Sequence, residues 1–227
     1  MPSRDLHHLT SPEVGARGAR VLLVPLGSVE QHGPHLPLDT DTRIAMALAD
    51  ALVAARTDAL VAPALAFGSS GEHAGFPGTL SIGTDALAMV LVELVRSASD
   101  VDHVVFINGH GGNLDALQRA TAQLRSEGRS ALVLAPVVVG GDAHAGRTET
   151  SLLLHLDPAA VRLDRVEVGA TGPLAELLPV MRTGGVRAVS PNGVLGDPTG
   201  ASAAEGAALF ERIVDDLRMR LVAEVGS

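Results

Sequence analysis

Short apolar runs alternate with longer amphipathic segments along most of this chain, and this alternation limits the fold more than any other feature. The apolar runs are rich in valine, isoleucine and leucine, as buried strands are, and lie at 20–26, 60–64, 103–108 and 131–139. Helical spacing occurs in the segments 42–55, 84–98, 112–126 and 203–224. Strands that alternate with helices predict a mostly parallel sheet covered on both faces. We therefore expect an α/β fold with its site at the carboxyl ends of the strands.

The length of the chain, 227 residues, suits a single domain over residues 1–227. No internal repeat and no linker divides the sequence. The stretch 140–200 is less regular than the rest, with many glycines and prolines and a hairpin-like segment near Val186 to Leu195. We interpret this stretch as an insertion that either covers the site or joins subunits.

Several classes of chemistry are excluded by composition. The chain has no cysteine, and all 17 of its basic residues are arginines, so thiolate sites, Schiff-base lysines and P-loop lysines are absent. Its net charge of −9 argues against a nucleic-acid surface or a polybasic membrane contact. The first twenty residues do not resemble a secretory signal, and no apolar tract is long enough to span a bilayer. We expect a cytoplasmic protein.

The first candidate site residues follow the first strand, in the run PLGSVEQHGPHLPLDTD. Glu30 and His32 are two residues apart, so in an extended chain they point to the same side. Asp41 follows where the chain turns into the next helix. Two carboxylates and an imidazole at one place are suitable ligands for a divalent metal. A solvated polar turn is the alternative interpretation of Glu30 and His32.

A second cluster follows directly after the strand 103–108, in the run NGHGGN. It places Asn108, His110 and Asn113 at the carboxyl end of that strand. The glycines allow close backbone approach, and amides at the start of the next helix can hold an anion. A second histidine at a strand end is what a site shared between two parallel strands predicts.

Two further segments carry polar side chains. His144 and Glu149 lie in GDAHAGRTETS, which leads into an apolar helix, although Glu149 there could serve only as a favourable first-turn carboxylate. Ser70, Glu72 and His73 lie in GSSGEHAGFPGT, a loop shaped by glycine and proline. This loop either lines a substrate site or is a structural turn fixed by its own hydrogen bonds.

Five of these motifs together resemble the creatininase family: GSVEQHGPHLPLDTD, EHAGFPGT, NGHGGN, HAGRTETS and GVLGDPTGASAAEG. They occur in the family's order and extend over roughly residues 20–210. The resemblance implies a three-layer αβα sandwich with a mostly parallel central sheet. It also implies hydrolysis of non-standard amide C–N bonds at a centre of two divalent metal ions, which Zn, Fe(II) or Mn would suit. A homo-oligomer of six or more chains is implied as well.

Carried over position by position, the resemblance assigns Glu30 and His110 to one ion and His32 to the other, with Asp41 as the bridge. The creatininase motif NGHYEN has a glutamate ligand where this chain has Gly112. That ligand must be replaced or left to water, and we expect Glu149 to replace it at the second ion.

The remaining site residues have roles in catalysis or substrate binding. His144 matches the family's second catalytic histidine, and we expect it or Glu149 to assist proton transfer. The residues expected to line the substrate site are Ser70, Glu72, His73 and Gly109.

The substrate is expected to differ from creatinine, because the chain has no tryptophan to pack around that ring. Within the family the chain resembles peptidases that release a C-terminal Val-Tyr-derived dipeptide from a modified precursor peptide in redox-cofactor biosynthesis. The run PLAELLPVMRTGGV is part of that resemblance. The alternatives are a formamidopyrimidine-type deformylase and, because of Gly112, a non-catalytic metal-stabilised assembly protein.

Overall fold

The computed structural model describes residues 4–226 and has a four-stranded sheet at its centre. Its strands are β1 (Val21–Leu26), β2 (Ala59–Val61), β3 (His103–Asn108) and β4 (Ala131–Leu134). They lie in the order β2-β1-β3-β4, and every pairing is parallel. The predicted parallel sheet is confirmed.

Among the residues that the structure describes, seven α-helices accompany the sheet: α1 (Ser11–Arg17), α2 (Thr40–Ala54), α3 (Thr84–Ser97), α4 (Leu114–Ser126), α5 (Arg147–Leu156), α6 (Leu174–Gly184) and α7 (Ala203–Val225). Between residues 4 and 226, none of the helices combines the length and apolarity needed to cross a membrane.

Alternating side chains of the strands separate the interior into two hydrophobic cores. On β3, Val105 and Ile107 face the core formed with α2, α5 and α7. Val104 and Phe106 face the opposite core, formed with α3 and α4. Each strand thus buries both faces, which explains why its sequence is continuously apolar. Helices on both faces of the sheet make three layers, as the α/β prediction required.

The structure differs from the predicted elements after β4 and before α7. The strand predicted for 131–139 ends at Leu134, close to Pro136, which has no N–H to donate to a ladder. The hairpin expected near Val186 to Leu195 is absent: residues 186–188 form a 3₁₀ turn, and Leu195 makes an isolated bridge with His144.

Asn113 joins the loops that follow β1, β2 and β3 at one edge of the sheet. Its side-chain nitrogen donates to the carbonyl of Gly27 at 3.0 Å and to the side-chain oxygen of Asn108 at 3.2 Å. Its side-chain oxygen accepts from the backbone N–H of Ser69 at 2.9 Å. The strand-end loops are therefore held together where parallel strands place their binding sites.

Candidate active site

Glu30, His32 and Asp41 lie together and are buried. The first two belong to the loop after β1, and Asp41 lies in the first turn of α2, where the helix dipole favours a carboxylate. His32 Nε2 is 3.0 Å from Asp41 Oδ1. The structure therefore brings together the three residues predicted from the first motif.

His110 adds the third element of the site from the end of β3. Its Nε2 lies 3.1 Å from Glu30 Oε2, and its Nδ1 lies 3.2 Å from Asp41 Oδ2. Asp41 thus faces His32 with one oxygen and His110 with the other. Gly109 makes this approach possible, because a Cβ there would lie 2.4 Å from the Asp41 carbonyl oxygen.

His144, Glu149 and His73 complete the cluster. Glu149 Oε2 lies 3.8 Å from His32 Nε2, and the same carboxylate oxygen accepts from the backbone N–H of Ala145 at 2.5 Å. His73 Nε2 and His144 Nδ1 lie 3.2 Å and 3.6 Å from Glu30 Oε1. All the residues expected to bind metal or to transfer protons therefore lie in one place.

Three groups of ligand atoms occur in this cluster, and within each group the atoms lie within 4.8 Å of one another. The groups are Glu30, Asp41 and His110; His32, His144 and Glu149; and Glu30, His73 and His144. Within residues 4–226, both carboxylate oxygens of Glu30 and Oδ2 of Asp41 are buried and make no hydrogen bond of acceptable geometry, although histidine nitrogens lie 3.1–3.2 Å from them. Buried carboxylates in this condition are costly unless a cation balances them. The donor set of imidazoles and carboxylates fits a divalent metal.

The site environment changes the pKa values of its groups. Burial raises the pKa of Glu149 to about 7. Burial, reinforced by the neighbouring His32, holds the pKa of His144 well below its usual range. For Asp41 burial acts in the opposite direction, but His32 and His110 beside it lower its pKa. His144 is therefore neutral, which is the form in which imidazole binds metal or accepts a proton.

Gln31 is a site residue that the sequence interpretation missed. Its Nε2 lies 2.9 Å from His73 Nδ1 and 3.0 Å from His144 Nε2, and it also contacts the carbonyl of Gly193 at 3.0 Å. Contacts of this kind orient imidazole rings at metal centres. In an extended strand Gln31 would point away from Glu30 and His32, so the alternation of side chains gave no reason to include it in the site. Its position between those two residues was the only signal in the sequence.

His35 is a second missed residue. It is buried, and its Nε2 hydrogen-bonds to the hydroxyl of Thr150 at 2.9 Å, which connects the loop after β1 to α5. Burial, and after it the charge of nearby His32, lowers its pKa to about 4. His35 is therefore a neutral structural residue behind the cluster.

Gly112 leaves the space that Glu72 occupies. A Cβ at Gly112 would lie 2.3 Å from Glu72 Oε1 and 2.4 Å from His110 Nε2. Glu72 Oε1 is itself 3.4 Å from His110 Nε2. A glutamate at position 112, as in the motif NGHYEN, and Glu72 in its present position therefore exclude each other.

The cluster forms one side of a cavity of about 570 Å³. Lining residues from the cluster and its loops are Asp41, Glu72, His73, Gly109, His110, Gly112, His144 and Glu149. Three of the four residues predicted to bind substrate thus reach the cavity. The fourth, Ser70, does not: it is fully buried, and its hydroxyl pairs with that of Ser28. Its contacts are those of a structural turn.

Comparison with known proteins gives matches along nearly the whole chain. The family model for creatininase (creatinine amidohydrolase) matches residues 7–221. A protein of Mycolicibacterium smegmatis named mycofactocin precursor peptide peptidase is 54% identical over 225 residues, which cover 96% of this chain and 87% of that protein. The predicted resemblance to a peptidase of this family is confirmed.

Solved creatininase structures share the fold. A mutant creatininase of the Zn-Zn type is 28% identical, with a TM-score of 0.81 and coverage of 100% of both chains. A creatininase described with Mn is 27% identical, also with a TM-score of 0.81, and covers 99% of this chain and 100% of that one. The chain belongs to the creatininase family.

Proposed function

We propose that this protein is a metal-dependent peptidase that cleaves an amide C–N bond of the mycofactocin precursor peptide and releases the C-terminal Val-Tyr-derived dipeptide. The observation that carries the reaction type is the Asp41 carboxylate, which faces His32 with one oxygen and His110 with the other. The substrate assignment is supported by the 54% identity to the Mycolicibacterium smegmatis peptidase.

Two overlapping sets of residues would hold the metal, with Asp41 in both sets as the family resemblance implies. Glu30, Asp41 and His110 would bind one ion, and His32, Asp41 and Glu149 the other, with Glu149 in place of the ligand that Gly112 lacks. Zn, Fe(II) or Mn suits these ligands. Bound ions of this kind lower the pKa of water toward neutrality and polarise a carbonyl group.

His144 is the proton-transfer residue in this proposal. It is neutral, lines the cavity and has its ring fixed by Gln31. In the overall step, the water oxygen bonds to the amide carbon and the C–N bond breaks. One water proton passes through His144 to the leaving amine, the other is released to that amine or to bulk water, and the acyl fragment leaves as a carboxylate. Backbone N–H groups of 109–112 are the candidate donors to the developing oxyanion.

The protein is further proposed to act in the cytoplasm as a homo-oligomer of six or more chains, without nucleic-acid or membrane partners. Exposed apolar side chains beyond the edge strand β4 support an interface: Val137 is 71% and Val139 is 96% exposed. Light scattering of the purified protein gives the number of chains directly.

Mass spectrometry of the modified precursor peptide after incubation with metal-loaded enzyme tests the function. We expect loss of the C-terminal dipeptide-derived fragment, no reaction in the presence of a chelator, and recovery when Zn, Fe(II) or Mn is returned. The variant Asp41→Asn is the matched inactive control. An intact peptide with metal bound to the wild-type protein would contradict the proposal and direct the search to formamides.

A further inference from the structure

Helix α6 lies outside both hydrophobic cores although most of its side chains are apolar. Its sequence is LAELLPVMRTG, and it contributes no buried residue. Leu174 is 43% and Leu178 is 36% exposed. An amphipathic helix normally buries its apolar stripe against the protein, whereas these apolar side chains remain partly exposed to solvent.

The apolar stripe of α6 faces the cavity of the metal-binding cluster. Leu174, Leu178 and Met181 line that cavity. Their spacing of four and then three residues places them on one face of the helix. The stripe covers about 10 Å along the helix axis, which is the length of one or two side chains.

The end of α6 is fixed against the loop that carries Glu72 and His73. At Gly185, which has a positive φ of 70°, a Cβ would lie 2.8 Å from the Glu72 carbonyl oxygen. The stripe is therefore continuous with the side of the cavity that holds the cluster.

Arg182 sets the limit of the apolar surface. It follows Met181 and is the one arginine among the described residues that line this cavity. Its side chain is exposed, so the guanidinium is free to face water or a polar part of whatever binds. The cavity thus has a metal-binding floor, a short apolar wall and a cationic end.

We propose that Leu174, Leu178 and Met181 form the wall that selects the substrate, by binding the apolar side chain next to the scissile amide of the peptide. This inference rests on the proposed peptidase function. The occupant is the substrate peptide, because the wall and the metal-binding cluster line the same cavity. An apolar side chain that binds the wall would therefore lie beside the amide bond to be cleaved. A wall of this length selects one or two apolar residues.

A unique fluorophore tests whether peptide reaches the wall. The wild-type chain has no tryptophan and no tyrosine, so Leu178→Trp introduces its only indole. Val180→Trp is the control on the same helix: Val180 is 47% exposed and is not among the cavity-lining residues. Titration with the modified precursor peptide should change the indole emission of Leu178→Trp in a saturable way and leave that of Val180→Trp unchanged.

Two fluorescence results would overturn the inference. One is an equal response, or no response, of both variants to a peptide that the wild-type enzyme cleaves. The other is emission from Leu178→Trp that is already shifted without peptide and depends on protein concentration, because a second copy of the chain then covers the wall.

Kinetics distinguish a failed wall from a failed function. Leu178→Asn should lower kcat/KM for the precursor peptide by about 10-fold or more. Val180→Asn should keep the kcat/KM of the wild type, and both variants should keep its metal content. If the wild type cleaves the peptide and Leu178→Asn has the same kcat/KM, the assignment of the wall is wrong and the peptidase function stands. A precursor peptide that stays intact with metal-loaded wild type contradicts the peptidase function, and the wall assignment falls with it.

Discussion

Gly109 and Gly112 flank His110, and each leaves room for a different carboxylate-bearing residue. A Cβ at Gly109 would meet the Asp41 backbone, and a Cβ at Gly112 would meet the carboxylate of Glu72. Both glycines are needed for close approach, and neither has a positive φ. Gly109 and Gly112 thus act by being small, as the sequence indicated, but the residue beside Gly112 could not be predicted because it comes from a distant loop.

The variant Gly112→Ala tests this packing. The added methyl group overlaps Glu72, His110 and the Ser69 carbonyl oxygen, all of which must shift, so we expect metal affinity to fall by about 10-fold or more. Gly111→Ala is the matched control, because a Cβ there meets no atom within 4 Å. Competition titration with a metal indicator measures both variants, and equal affinities would show that Gly112 does not control the position of the ligand.

His35 gives the fold a dependence on pH that a variant can isolate. Its pKa is about 4 in the folded protein because of burial and nearby His32, whereas an unfolded histidine has a pKa near ~6.5. The folded state therefore binds fewer protons between these values. The stabilisation is complete above about pH 6.5 and is lost as pH falls toward 4, by roughly 1–3 kcal/mol.

Urea unfolding of wild type and His35→Gln measures this contribution. Glutamine retains a hydrogen-bonding group for Thr150 and does not titrate. We expect the wild type to lose more unfolding free energy than the variant between about pH 7 and about pH 5. The same loss in both proteins would mean that His35 is not the group responsible.

Strands and long helices were predictable because burial on both faces leaves a clear pattern. Both bounds of β3 were predicted correctly, since the strand is apolar throughout and His110 and its glycines follow directly. Helix α6 was not predicted, because Gly172 and Pro173 precede it and Pro179, which has no N–H, interrupts it. The run PLAELLPVMRTGGV entered only as part of a family resemblance.

The candidate ligands were also predictable from the order of strands and helices, because parallel strands end at one edge of the sheet. The contacts around them were not. Gln31 contacts His73 and His144 because the chain after β1 is not an extended strand at this point. Ser70 is buried because it packs against Ser28 from another loop. Such positions depend on which loops meet, and local pattern does not contain that information.

Helix α6 should be less protected than the helices of the cores. Since it buries no residue, local opening exposes little new apolar surface and costs little free energy. Hydrogen–deuterium exchange followed by mass spectrometry should show faster exchange in 174–184 than in 203–225, which buries seven residues. Similar protection in the two helices, without peptide, would contradict this view of α6.

Asp41 lies at the centre of the candidate site. Asp41 itself lies in α2, candidate ligands from the loops after β1 and β3 and from α5 surround it, and it faces groups on both sides. In the proposed metal centre, this single carboxylate would connect two metal positions whose other ligands come from distant parts of the chain. The variant Asp41→Asn removes that charge while it keeps the size of the side chain.

The most direct test is the metal content of wild type and Asp41→Asn, measured by inductively coupled plasma mass spectrometry after loading and desalting. We predict two ions per wild-type chain and a loss of both from the variant, because each position loses a negatively charged ligand. Two ions retained by Asp41→Asn, or a wild-type chain that binds none, would contradict a metal centre joined by this residue.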